Sequence, residues 1–188
     1  MLRPAALRMA LRSAPANWFI DYNGPLYRAL CGADLPHAAF SNPKKDHRFN
    51  RGTMRVGSFT VLYASTDTTT PLFETRRRIQ TATEIINAPG PATHLAILSC
   101  VLFRLLDLRG DDARRGLKTN HQELTGNWWD YIDSPEGAPT HWLGNALHAV
   151  ANSCGVIYRS KYGTGDNVFI MHDQLAPGYV HFERSTEI

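Results

Sequence analysis

Apolar positions along this chain alternate between strand-like runs and helix-like spacing. Leu26–Leu30 (LYRAL) and Phe59–Ala64 (FTVLYA) are short, rich in aromatic or branched residues, and predict strands. Residues 31–58 between them are dense in turn formers, including Pro36, Asn42, Pro43, Gly52 and Gly57. Ser65–Thr70 is a polar turn, and Pro71 stands where a helix accepts proline, in its first turn. Leu72, Phe73, Arg76 and Ile79 then recur at helical spacing and predict a helix through about Ile86, ended by the Asn87–Pro91 cluster. Thr93–Leu108 is the most apolar segment. It is long for one strand, but Ile97, Val101 and Phe103 favour a core strand with room for a bend. Asp107–Gly116 reads as a short helix or turn. Trp142, Leu143, Ala146, Leu147 and Val150 predict a helix over Pro139–Ser153, with Thr140 as N-cap and Gly155 as its stop. Val156–Arg159 and Val168–Met171 predict short strands around the turn Gly163-Thr164-Gly165, and Val180–Phe182 a last one. This irregular alternation predicts an α+β fold, a mixed sheet with helices packed on it.

The chain has 188 residues, 43% hydrophobic and 20% charged, which suits one ordinary domain and argues against disorder. Twenty Lys and Arg against 17 Asp and Glu leave +3, with no dense basic tract to point to nucleic acid. The longest apolar stretch ends at Arg104, short of the roughly 20 residues a membrane span needs. Cys31, Cys100 and Cys154 form no CxxC pair, so neither a disulfide framework nor a zinc site is expected, and a reduced cytoplasmic setting follows. Residues 1–25 stand apart from 26–188. Arg3, Arg8 and Arg12 among Leu, Ala and Met fit either a mitochondrial leader or an amphipathic arm packed on its own domain.

GxSxG, P-loop and HExxH signals are missing from the sequence, and the histidines are scattered. His141 and His148 fall on one helix without an acidic pair, which suggests packing rather than a metal site. The chemistry-bearing residues sit instead at the ends of predicted elements: Tyr27-Arg28, Arg48-Phe49-Asn50, Tyr63, Glu74 and Ser160.

Three runs carry a family resemblance. They are Arg48-Phe49-Asn50, then Leu62-Tyr63-Ala64-Ser65 leading to Thr70-Pro71-Leu72-Phe73-Glu74, and later Gly155 to Ser160 followed by Gly163 to Gly165 and Asn167-Val168-Phe169. In this order, over about Leu26 to Leu175, the chain resembles the RES domain, named for a recurring Arg, Glu and Ser. Leu106-Asp107-Leu108 resembles the end of the family's central strand. The chain departs from the family at Asp46-His47, where a glycine is common. It departs again around Ser160, where Arg159 and Lys161-Tyr162 replace a more usual Pro before and Ala-Arg after.

The resemblance implies a fold similar to ADP-ribosyltransferase toxins and cleavage of the nicotinamide–ribose bond of NAD, by glycohydrolysis or phosphorolysis, without a metal. It further implies a toxin neutralised by an Xre-like helix-turn-helix antitoxin, with any DNA contact made by the antitoxin. By the same resemblance Glu74, Arg48 and Ser160 are the catalytic candidates, and Arg28, Tyr27, Tyr63 and Asn50 would hold NAD. The residue types suit the task. A carboxylate stabilises positive charge on a ribose, an arginine forks onto a pyrophosphate, a tyrosine stacks on a flat ring, and a serine orients the carboxylate or binds the carboxamide.

Other readings stand beside this one. Glu74 in a first helical turn is also what the helix dipole favours, and Tyr27 and Tyr63 are equally suited to a core. Arg76, Arg77 and Arg78 read as a solvated helix face, and Trp128, Trp129 and Tyr131 as a packed lid or partner patch. Two alternative functions are a transferase that modifies a protein and a catalytically silent binding module. Retention of Arg48, Tyr63, Glu74 and Ser160 argues against silence.

Overall fold

The structure is a computed structural model. It describes residues 1–39, 48–50, 59–75, 78–80, 85–87, 92–131, 133–150, 152–162 and 165–188. The chain begins with helix α1 (Pro4–Arg12) and strand β1 (Phe19–Leu30), followed by β2 (Val61–Ser65), α2 (Thr70–Glu74) and the hairpin strands β3 (Arg78–Gln80) and β4 (Ile85–Asn87). Next come β5 (His94–Asp107), α3 (Asp111–Gly116), α4 (His121–Thr125) and α5 (Pro139–Val150). The last three strands are β6 (Gly155–Arg159), β7 (Asp166–Met171) and β8 (Val180–Glu187). This is the α+β, mixed-sheet architecture that the sequence predicts. Its single parallel pairing among the described strands joins β5 to β6.

The main sheet closes on itself. β5 pairs along one edge with β1 and along the other with β8 and then β6. From β6 the hydrogen bonding passes to β7, to β2 and back to β1, where the two strands meet only at Tyr27 and Ser65. Leu26, Leu62, Ala96, Leu98, Leu102, Ile157, Val168 and Ile170 fill one core within this ring. A second core lies between the outer face and the helices, where Val61, Val156, Tyr158, Phe169 and Met171 meet Leu7 and Leu11 of α1 and Leu143 and Leu147 of α5. β6 and β7 are thus covered on both faces, which is why Val156–Tyr158 and Val168–Met171 are continuous apolar runs rather than alternating ones. β8 is an exposed edge, and its charged Glu183, Arg184 and Glu187 discourage pairing with another chain.

Several expectations change. β1 extends back to Phe19, through Asn23-Gly24-Pro25 and across the division that the sequence suggests at residue 25. Pro25 is tolerated because β1 there is bonded to β5, while its other edge meets β2 only at Tyr27. The helix expected from Pro71 to Ile86 ends at Glu74, where both Thr75 N–H and its hydroxyl turn back to the Pro71 carbonyl. β-Branched Ile79, Ile85 and Ile86 then enter the β3–β4 hairpin. Arg78 therefore lies in a strand, and Arg76 and Arg77 lie outside the described residues, as do Asp46-His47 and Gly163-Thr164.

Thr140 is inside α5 rather than capping it, and its hydroxyl has no hydrogen bond among the described residues. Gly155 opens β6 instead of ending α5. A β-carbon there would lie 1.9 Å from the Phe169 carbonyl oxygen, so cross-strand closeness requires glycine. His141 accepts a hydrogen bond from Ala138 N–H, and His148 stacks on Phe59, so both histidines pack, as the sequence suggests. No helix among the described residues is long and apolar enough to cross a membrane.

The arginine-bearing N-terminal segment is an amphipathic helix seated on α5, with Leu7 and Leu11 buried in the outer core. Truncating such a side chain removes transfer energy and opens a cavity. Leu7→Ala should lower the unfolding free energy by about 2–5 kcal/mol, measured by urea denaturation.

Candidate active site

A cavity of about 330 Å³ opens at the seam between β1 and β2, a size within the range of small-molecule sites. Tyr27, Arg28, Tyr63, Ser65, Arg48, Glu74, Trp128, Tyr158 and Asn167 contribute to its wall. Five residues named from the sequence, Tyr27, Arg28, Arg48, Tyr63 and Glu74, are thus brought together across the fold.

Glu74 is the last residue of α2, not part of its first turn. At that end the helix dipole disfavours an anion, so the dipole does not account for the glutamate. It is exposed at the cavity and is held by neighbouring side chains: Asn167 Nδ2 donates to Glu74 Oε1 at 2.9 Å, and Ser160 Oγ lies 3.5 Å from the same oxygen. The start of α2 is fixed by Asp67. Its carboxylate accepts from Thr69 N–H and Thr70 N–H at 2.8 and 2.9 Å and from the Thr70 hydroxyl at 2.6 Å. Asp67 approaches closely because position 165 is glycine, where a β-carbon would lie 1.7 Å from Asp67 Oδ2.

Arg48 is anchored by one nitrogen. Its Nη1 donates to the carbonyls of Leu124 and Gly126 at 3.0 and 2.7 Å, at the C-terminal end of α4. Next in the chain, Phe49 N–H donates to the Tyr63 hydroxyl at 2.8 Å. Burial raises the Tyr63 pKa well above the usual tyrosine value, against the opposing pull of that bond and of Arg48. Tyr63 therefore holds the Arg48 segment on β2 as well as lining the cavity. Arg28, on β1, donates to the Ala38 carbonyl at 2.9 Å. Burial lowers its pKa to about 10, with Asp34 opposing the shift.

Two predicted residues stand elsewhere. Asn50 is buried and does not line the cavity. Its amide nitrogen donates to the Phe59 carbonyl, next to the start of β2. Ser160 is also buried, behind Glu74, where its hydroxyl accepts from Tyr162 N–H at 3.2 Å. It reaches the site through the glutamate rather than by forming the wall.

Sequence reasoning passed over Ser65, Asn167 and Tyr158. Ser65 and Asn167 face each other across β2 and β7. They lie within the quoted runs, and polar residues in otherwise apolar strands were the available signal. Tyr158 is buried, and its pKa is raised by that burial, with Arg48 and the Asn167 side chain pulling down. Trp128 belongs to the cavity wall, and its ring meets His141 edge-on at 5.9 Å. The side chain of Trp129 lies outside the described residues.

The RES domain model matches residues 25–186. The chain belongs to the RES domain family. Among solved structures, this RES domain is similar to a chain in the crystal structure of the M. tuberculosis MbcT–MbcA toxin–antitoxin complex. The TM-score is 0.70 at 17% identity, covering 97% of this chain and 92% of that one. Likeness at that identity is one of fold. No curated protein matches the chain in sequence.

The RES-domain cavity also depends on a close contact outside its wall. At Gly144 of α5 a β-carbon would stand 2.0 Å from the Phe49 carbonyl oxygen, so the helix passes directly against the segment that carries Arg48. Gly144→Ala must push that segment away. Its expected cost is about 1–3 kcal/mol in urea unfolding, despite alanine's better helix propensity.

Proposed function

We propose that this RES domain consumes NAD by cleaving its nicotinamide–ribose bond, and that it is the toxin of a toxin–antitoxin pair. The observation that carries the reading is the cavity itself: one exposed carboxylate, Glu74, shares a wall with two guanidinium groups, Arg28 and Arg48. Breaking an N-glycosidic bond builds positive charge on the ribose. Glu74 stabilises that charge and holds a ribose hydroxyl. Nicotinamide leaves as a neutral molecule, so no second acid is needed. Arg28 and Arg48 offer two cations for the pyrophosphate. Tyr27, Tyr63 and Trp128 offer aromatic faces for the flat rings.

Removing the Glu74 charge while keeping its shape tests this directly. Glu74→Gln should reduce release of free nicotinamide by about 10²–10³, with the thermal unfolding midpoint nearly unchanged. Equal turnover by the two proteins would remove Glu74 from the mechanism. Analysis of the second product, ADP-ribose or its phosphate adduct, identifies the acceptor.

A toxin that empties the NAD pool of its own cell must be restrained, and the family resemblance supplies an Xre-like helix-turn-helix antitoxin. Occlusion of the cavity is the simplest restraint, with an acidic group of the partner against Arg28 or Arg48. Adding that antitoxin should stop nicotinamide release and slow amide exchange along β1 and β2. Inhibition that leaves those amides unprotected would rule occlusion out.

A further inference from the structure

The hydrogen bonds at Glu74 distinguish its two carboxylate oxygens. Both contacts from described residues, Asn167 Nδ2 at 2.9 Å and Ser160 Oγ at 3.5 Å, fall on Oε1. Among the described residues none falls on Oε2. Asn167 is itself held, because Ser65 Oγ lies 3.0 Å from Asn167 Oδ1 across the β2–β7 ladder.

The donor assignments follow from chemistry. An ionised carboxylate only accepts, so the amide nitrogen must face Glu74. The amide oxygen then faces Ser65, and the serine hydroxyl must donate. Ser65 and Asn167 are both buried, so the relay is shielded from competing water. It also runs between two paired strands, whereas Glu74 sits at the end of a five-residue helix. The strands supply the rigidity that so short a helix lacks.

We propose that Asn167 is a positioning residue: with Ser65 it holds Glu74 by Oε1 and leaves Oε2 as the oxygen that meets the substrate. The inference rests on the NAD-cleaving reading for its consequence in catalysis. The orientation of Glu74 can be tested without it.

Asn167→Asp provides that test, since it places a second carboxylate where the amide donor was. Two carboxylates in contact do not both ionise readily, so one titrates higher. The other charged groups at the cavity are Arg28 and Arg48, and the titratable neutral ones are Tyr27, Tyr63 and Tyr158. Beside Asn167, Asp166 is already bound by Arg109 at 3.1 Å and lies 3.4 Å from Arg159. One carboxyl of the pair, Glu74 or the one introduced at position 167, followed by carbon-detected NMR, should titrate about one pH unit or more above the other. Two carboxyls that titrate independently of each other would overturn the contact.

Kinetics test the catalytic half. Asn167→Ala should lower kcat for nicotinamide release about 10- to 100-fold, while KM for NAD changes less than about twofold. Ser65→Ala, which frees the amide to turn over, should lower kcat in the same direction. In Asn167→Asp the acid limb of kcat should move up in pH with the titration of the carboxyl pair. An unchanged kcat in Asn167→Ala, or a loss confined to KM, would overturn the positioning role, and an unchanged Ser65→Ala would remove Ser65 from it. If the parent protein releases no nicotinamide, the NAD reading fails and with it the assignment of Oε2. The NMR titration would then still decide whether Asn167 holds Glu74.

Discussion

The fold turns on a seam. A sheet that curls into a ring must close somewhere, and here closure falls to a single residue pair, Tyr27 with Ser65. Everywhere else β1 is committed to β5, with register running from Phe19 to Leu30. β2 ends at Ser65, and its earlier residues do not pair with β1, leaving backbone edges and side chains to face a gap. Tyr27, Arg28 and Ala29 line it from one strand, and Tyr63, Ala64 and Ser65 from the other. The cavity is therefore not carved from the core. It is the space that incomplete strand pairing leaves at the one place where the ring is thinly joined.

Charge at this seam is managed by neutral dipoles on one side and ion pairs on the other. Glu74 meets an amide and a hydroxyl, which stabilise a carboxylate without cancelling its charge. Just outside, Arg109 bonds Asp107 at 2.8 Å and Asp166 at 3.1 Å. Burial raises the Asp107 pKa, but the hydrogen bonds from Arg109 outweigh it and hold that carboxyl below its ordinary range. This clamp ties the end of β5 to the start of β7, one residue before Asn167. Asp107 and Asp166 are thus paired with a cation, and the exposed carboxylate at the cavity is not paired in this way among the described residues.

Much of this was legible in the chain. The apolar runs of β2, β6 and β7 and the periodicity of α5 marked those elements, because each is covered well enough to need a continuous or regular apolar face. The order of Arg48, Tyr63, Glu74 and Ser160 gave the family. What was not legible depended on partners distant in sequence. Pro25 reads as a division until β5 is seen to hold its strand, and Ile79 to Ile86 read as a helix until they pair with each other. Asn50 and Asn167 look alike as sequence. Only the fold turns one toward the Phe59 carbonyl and the other toward Glu74.

Arg48 and Tyr63 show that a residue can be held in place by two separate requirements. Arg48 fastens its segment to the end of α4, and Tyr63 fastens the same segment to β2. A descendant of this protein that had lost its chemistry but kept its shape would still be under selection to retain both. Their presence in a sequence is accordingly weak testimony that an enzyme is alive. Glu74, exposed, at the unfavourable end of its helix and with its bonds from described residues confined to one oxygen, has far less to do for the fold. It is the position where evolutionary decay of the proposed activity would be recorded first.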